Sequence, residues 1–304
     1  MQRKLLLVLS AFCCMVACEL AADEPEGKPL RIIVFGAHPD DAELKAGGTA
    51  AKWAKLGHKV KLVSVTNGDI GHWSMDREAL AARRLKEVQA ADKLLGATCE
   101  VLDIHDGELE PTLENRKTIT RLIRAWQADI VISHRPWDYH PDHRYVGVLV
   151  QDAAFMVTVP KFCPETPALK VNPVFLYASD GFEKPSRFRA DVCVALDDVI
   201  ELKWDALHEL ESQTYEGGAL GSEEQLDNVP PASRPALRKT WFREQHRWAK
   251  IDSSAAERYR DTLARFYGAE QASKIKFAEA FEVCEYGRRV TDEELKKLFP
   301  FILK

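Results

Sequence analysis

Along residues 31–160 the pattern of apolar and polar positions switches repeatedly between that of a strand and that of a helix. Short, largely apolar runs end near Gly, Asn, Asp or His, as buried parallel strands do, and they cover residues 31–35, 59–66, 98–103 and 129–133. Between them apolar residues recur at helical spacing, for example Leu85, Val88 and Leu95 before Gly96. The pattern predicts an α/β fold of doubly wound, Rossmann-like type, in which helices flank a mostly parallel sheet.

The pattern becomes less regular after residue 160. Strands are predicted at 174–178 and 188–194, helices at 197–211, 238–250 and 254–267, and a Gly- and Pro-rich loop at 217–235. We therefore predict one α/β domain over residues 31–304, with an elaborated C-terminal third and a loop or lid insertion at about 216–250. Trp241 and Trp248 lie on one helical face, where they either pack on the core or cover a sugar; packing is the commoner role.

The N-terminal residues have the pattern of an export signal. Two basic residues precede an apolar run over 5–17, small residues follow, and an acidic stretch begins at Asp23. The run is too short for a membrane span of roughly 20 residues. We predict a signal peptide over 1–22 and a linker over 23–30, or a lipoprotein-type signal with a lipid anchor at Cys18. Either implies an exported protein, periplasmic or extracellular.

Charge and cysteine content narrow the function classes. The 304 residues include 42 Lys and Arg against 47 Asp and Glu, a formal charge of −5, which argues against a general nucleic-acid binder. Outside the predicted signal, the cysteines are Cys99, Cys163, Cys193 and Cys284. They are widely spaced and form no metal-binding pair, so the sequence leaves disulfides and buried thiols both open.

Two short polar segments follow predicted strands. The first, Gly-Ala-His-Pro-Asp-Asp at 36–41, comes directly after the first strand, and the second, Asp-Tyr-His-Pro-Asp-His at 138–143, comes shortly after the fourth. In a sheet of order 3-2-1-4-5 these strands are parallel neighbours, and ligands bind at their carboxyl ends. One His-Pro-Asp segment is usually loop chemistry, but two that meet at one crevice predict a shared site.

The residue types in these segments suit a divalent metal. His38 and Asp41 are close enough for one turn to direct both at an ion, and a third ligand from the second segment leaves a position for water. Zinc is expected, although the same two-histidine, one-carboxylate set would also hold Fe²⁺. A remaining carboxylate would act as a base in hydrolysis.

The motifs resemble those of a known family. Ala37 to Asp41 followed by Gly47-Gly48, together with the segment 140–143, resemble the PIG-L/LmbE-like zinc-dependent N-acetylglucosaminide deacetylases, with the bacillithiol-pathway branch closest in appearance. The resemblance implies that His38, Asp41 and His143 bind zinc. It also implies that Asp40 is the general base.

The remaining implied roles concern proton donation and substrate contact. By the same resemblance His140 is the acid or oxyanion stabiliser, and Asp142 orients or tunes it. The resemblance further suggests substrate contacts from Arg84 and Asp106, although Arg84 could instead pair with a glutamate on its own helix.

The sequence therefore predicts a metal-dependent hydrolase that removes the N-acetyl group from a GlcNAc-containing sugar or glycoconjugate and releases acetate. Hydrolysis of another amide or ester, such as an acylated sugar or antibiotic, remains an alternative. A second alternative is a metal-stabilised glycan-binding protein without turnover. The sequence does not identify the oligomeric state.

Overall fold

The computed structural model describes residues 27–302, so the predicted signal segment and Cys18 lie outside the described residues. The strands are β1 (Arg31–Gly36), β2 (Lys59–Ser64), β3 (Thr98–Val101), β4 (Ile130–Ser133), β5 (Val174–Ala178), β6 (Val192–Ala195) and β7 (Ala278–Val283). The helices are α1 (Asp41–Lys55), α2 (Arg77–Leu95), α3 (Leu113–Trp126), α4 (Pro141–Met156), α5 (Ile200–Glu209), α6 (Glu211–Thr214), α7 (Glu223–Leu226), α8 (Pro235–Gln245), α9 (Ile251–Arg258), α10 (Arg260–Tyr267), α11 (Ala269–Lys274) and α12 (Asp292–Leu298). Within that range no helix is long and apolar enough to cross a membrane.

The strands form one mixed sheet of order β3-β2-β1-β4-β5-β7-β6. The first five pair in parallel, whereas β7 pairs antiparallel with both β5 and β6. The predicted doubly wound, mostly parallel fold and the order 3-2-1-4-5 are confirmed. The sequence did not predict β7, whose Glu279 and Glu282 interrupt the apolar pattern of a buried strand.

Side chains of β1 alternate between two buried layers, as the two-residue period of a strand requires. Ile32 and Val34 pack with α1, α2 and α5 on one face, and Ile33 and Phe35 pack with α3 and α4 on the other. Helices therefore cover both faces of the parallel strands. The carboxyl ends of β1 and β4 lie next to each other at one end of the sheet.

The C-terminal third differs from its prediction in the segment that was expected to be a loop or lid. The segment 216–250 is not one loop, because it contains a 3-10 turn at Gly218–Leu220 and the helices α7 and α8. Trp248 is buried in the core and Trp241 packs partly against it, in agreement with the packing interpretation. The four cysteines of the described residues are free thiols, so no disulfide forms among them.

Candidate metal centre and active site

The first polar segment is folded back tightly on the start of α1. A Cβ atom at Gly36 would lie 2.7 Å from the Cβ of Asp41, so only glycine allows this close approach. The Asp41 carboxylate accepts the backbone N–H groups of Ala37 at 3.1 Å and His38 at 2.9 Å. Burial opposes its ionisation, but the neighbouring His143 and His134 outweigh burial and hold the pKa of Asp41 well below its ordinary value.

The second polar segment forms the N-terminus of α4. His140 is the N-cap, and its Nδ1 accepts the backbone N–H of Asp142 at 3.3 Å. Since Nδ1 accepts, Nε2 is the nitrogen that carries the proton in the neutral ring. Pro141 occupies the first helical turn, where its missing N–H costs no hydrogen bond. The cap therefore fixes both the position of His140 and its tautomer.

Three ligand atoms from the two segments form a compact triangle. His38 Nδ1 lies 3.2 Å from His143 Nε2 and 3.4 Å from Asp41 Oδ2, and the His143 and Asp41 atoms are 3.4 Å apart. Zinc bonds of about 2.0–2.1 Å in a tetrahedron give ligand separations of about 3.3–3.4 Å. The triangle consequently fits three protein ligands of one tetrahedral ion, with the fourth position left for water or substrate.

Carboxylates lie behind both imidazoles of the triangle. His38 Nε2 is 3.0 Å from Asp106 and 3.2 Å from Asp142, and His143 Nδ1 is 3.1 Å from Asp138. Burial alone would lower the pKa of His38, but Asp106 and Asp142 outweigh it and raise that pKa well above its ordinary value. Such partners orient metal-binding imidazoles and increase their basicity.

Asp142 departs from the orienting role that was predicted for it. Its carboxylate contacts His38 and accepts the backbone N–H of Gly107 at 2.7 Å. Within the described residues that carboxylate accepts no hydrogen bond from His140, whose Nδ1 instead accepts the backbone N–H of Asp142. Burial lowers the pKa of His140, as do His38 and His143, and the charge of Asp142 acts in the opposite direction. Asp142 can therefore act on His140 only through its charge, which raises the pKa of the imidazole.

Asp40 and His140 flank the triangle. A carboxylate oxygen of Asp40 lies within 4.8 Å of the ligand atoms of His38 and Asp41, and a ring nitrogen of His140 lies equally close to His38 and His143. Burial raises the pKa of Asp40, and the neighbouring Asp41 raises it further. A buried acid with a raised pKa beside a candidate metal position is suited to proton transfer near neutral pH.

Of the two residues with predicted substrate contacts, Asp106 lies inside the site and Arg84 borders it. Asp106 faces His38, which gives it a role independent of substrate. Arg84 is 1% exposed and donates to the carbonyl of Gly71 at 3.0 Å. The glutamate pairing considered for Arg84 is made instead by Arg83, whose Nε lies 2.8 Å from Glu87. The positive charge of Arg84 lowers the pKa of Asp40.

Sequence reasoning missed Gln213 and Asp138. Gln213 Nε2 donates to Asp40 Oδ2 at 2.6 Å across 173 positions of sequence. No motif marks Gln213, whereas Asp138 stands five residues before His143 and the spacing could have suggested it. His134 also borders the site, where its Nε2 accepts the backbone N–H of Ala37 at 3.2 Å.

Comparisons with known proteins show which sequences this chain resembles. The PIG-L model, described as GlcNAc-PI de-N-acetylase, matches residues 33–154. The diacetylchitobiose deacetylase of Thermococcus kodakarensis is 32% identical over 199 residues, 63% of this chain and 73% of that protein. The 4-oxalmesaconate hydratase of Pseudomonas putida is 25% identical over 191 residues, 60% and 74% of the two chains.

A solved structure supports the fold. The N,N'-diacetylchitobiose deacetylase from Pyrococcus horikoshii superposes with a TM-score of 0.62 over 84% of each chain, at 23% identity. At that identity the likeness is evidence for the α/β architecture alone.

Proposed function

The chain belongs to the PIG-L family, and from this we propose that it is a metal-dependent hydrolase that removes the N-acetyl group from a GlcNAc-containing sugar or glycoconjugate. The products would be acetate and the free amine. The observation that carries the proposal is the triangle of His38, Asp41 and His143 with Asp40 and His140 on its flanks. The relative from Thermococcus kodakarensis, a diacetylchitobiose deacetylase, supports the choice of substrate.

The donor set is suited to zinc. Two imidazole nitrogens and one carboxylate oxygen converge at separations of 3.2–3.4 Å, so their lone pairs require a cation or a proton between them. When bound there, zinc supplies Lewis acidity for the amide carbonyl and lowers the pKa of water. Fe²⁺ satisfies the same ligands, so the identity of the ion stays a prediction.

The chain's own residues account for the proton transfers. Asp40 accepts the proton that the attacking water loses as the new C–O bond forms. His140, with Nδ1 engaged by the cap of α4, presents Nε2 either to the developing oxyanion or to the amine nitrogen. When the C–N bond breaks, the nitrogen leaves as an amine after it has received a proton, and the acyl group leaves as acetate.

The test is acetate release from GlcNAc and its β-linked oligomers by the purified protein. We expect Asp40→Asn and His140→Ala each to lower kcat by about 10²–10⁴-fold. His38→Ala should remove both the bound metal and the activity. Chelation should abolish acetate release and zinc should restore it. If the Asp40 and His140 variants both keep full activity, the proposal is wrong.

Assays on the same purified protein distinguish the two alternative functions. Release of another acyl group, measured on O-acetyl sugars and N-acyl amino acids, would show a hydrolase of different specificity. Metal and sugar binding without any turnover would show a glycan-binding protein. We also propose that the protein acts after export, which depends on the pattern of residues 1–22 and favours a periplasmic or extracellular glycan as substrate.

A further inference from the structure

Two of the most exposed aromatic side chains lie beside the candidate metal centre. Within residues 27–302 four aromatic side chains are exposed, namely Trp137, Tyr139, Phe155 and Tyr286. Trp137 and Tyr139 belong to the loop between β4 and α4, which also carries His140. Tyr139 is 72% exposed, far more than a tyrosine that serves the core.

Tyr139 borders the triangle and leads to a second aromatic ring. Its ring centroid lies 5.7 Å from that of His143 and 5.8 Å from that of His140, nearly perpendicular to both. Phe182, in the loop after β5, lies 6.1 Å from Tyr139 at an angle of 44°. The Tyr139 ring thus connects the histidines of the metal centre to Phe182, and its exposure makes it accessible to the part of a substrate beyond the reacting sugar.

The backbone carbonyls of Tyr139 and Phe182 both accept hydrogen bonds from arginines. Arg144 donates to the carbonyl of Tyr139 at 2.9 Å. Arg135, with a side chain that is 0% exposed, donates to Asp180 through two bonds of 2.7 Å and to the carbonyl of Phe182 at 3.0 Å. These hydrogen bonds fix the backbone at Tyr139 and Phe182 before a ligand arrives, which reduces the entropy lost on binding.

We propose that Tyr139 and Phe182 form a platform for the second pyranose of an N-acetylated oligosaccharide, next to the sugar that loses its acetyl group. This inference rests on the proposed deacetylase function. The apolar C–H face of a pyranose stacks on an aromatic ring, and the phenol adds a hydrogen-bonding group at the platform edge. Arg135 is paired with Asp180, so its guanidinium does not offer a free charge to a ligand on the platform.

The platform makes the protein prefer oligosaccharides to the monosaccharide. One stacked ring contributes about tenfold in affinity. We expect kcat/KM for N,N'-diacetylchitobiose to exceed that for GlcNAc by about tenfold in the wild-type protein. Tyr139→Ala and Phe182→Ala should each lower this ratio severalfold, chiefly by raising KM for the disaccharide.

Three measurements make the test specific. Tyr139→Phe keeps the ring and should retain most of the ratio. Tyr286→Ala removes another exposed tyrosine, which lies outside the platform, and should leave the ratio unchanged. Calorimetric binding of N,N'-diacetylchitobiose to each variant reports on the platform even if no acetate is released.

The outcomes distinguish this inference from the proposed function. Disaccharide binding that depends on Tyr139, without acetate release, would keep the platform and refute the deacetylase. Acetate release with the same ratio in the wild type and both alanine variants would refute the platform alone. A loss confined to long-chain N-acyl glucosamines would show that the rings hold an acyl chain, and the sugar assignment would be wrong.

Discussion

Replacement of Gln213 by alanine tests how the C-terminal third of the domain controls the proposed base. The Gln213 amide donates to the Asp40 carboxylate at 2.6 Å, and residues 27–302 supply no other hydrogen bond to that carboxylate. Gln213 is itself anchored through its neighbours. The Ser212 hydroxyl donates to Glu87 at 2.6 Å and the Thr214 hydroxyl donates to the carbonyl of Leu207 at 2.9 Å.

The size of the effect follows from the type of bond. A hydrogen bond to a charged acceptor contributes about 1.5–3 kcal/mol, and 1.4 kcal/mol corresponds to a factor of ten. If the orientation of Asp40 is needed mainly in the transition state, Gln213→Ala should lower kcat by about 10–100-fold with little change in KM. The amide also lowers the pKa of Asp40, which burial raises. Its removal should shift the acid limb of the pH profile to higher pH, because the base must be ionised.

Acetate release, metal content and thermal unfolding would be measured together. Gln213→Glu should lose more activity than Gln213→Ala, since it brings a second carboxyl group against Asp40. Gln245→Ala, at an exposed position at the end of α8, is the matched control and should behave as wild type. A Gln213→Ala protein that keeps its metal and more than half of the wild-type kcat would refute the reasoning.

Three further changes test the packing that supports the site. In Gly147→Ala, the new Cβ would lie 2.8 Å from the backbone of Arg135, so we expect a loss of about 1–3 kcal/mol in urea unfolding and lower activity as α4 moves; an unchanged midpoint would contradict this. Burial raises the pKa of Asp92 from 3.8 to about 6, so its neutral form stabilises the fold and wild-type stability should fall as pH rises between about 4 and 6; Asp92→Asn should reduce that fall by about 1–3 kcal/mol, and parallel stability curves of the two proteins between about pH 4 and 6 would refute it. Lys203→Met leaves the buried carboxylates of Asp252 and Glu279 without their cation and should lower the free energy of unfolding by about 3–5 kcal/mol in denaturant; a loss below 1 kcal/mol would contradict this.

The part of the site that local sequence determines was predictable. His38 and Asp41 share one turn, and His140 and His143 share the first turn of a helix, so short-range geometry directs each pair. Parallel pairing of β1 with β4 then brings the two turns together, and the apolar runs of both strands announced that pairing. The ligand roles themselves remain predictions until a metal is measured.

The rest depended on contacts between distant segments. Gln213 reaches Asp40 from a short helix that has no apolar periodicity. β7 can hold a buried glutamate because contacts with distant segments stabilise the carboxylate of Glu279, and no local sequence pattern indicates these contacts. Its carboxylate accepts the backbone N–H groups of Gly48 at 2.9 Å and Thr49 at 2.8 Å and pairs with Lys203 at 2.8 Å.

The candidate metal centre and the residues that surround it lie in different parts of the chain. The metal triangle, Asp40 and His140 all lie within residues 33–154, the part that the PIG-L model matches. Gln213, which holds the proposed base, and Phe182, at the substrate side, lie outside it. For this chain, differences in specificity from its relatives should consequently map to the loop after β5 and to the segment around α6.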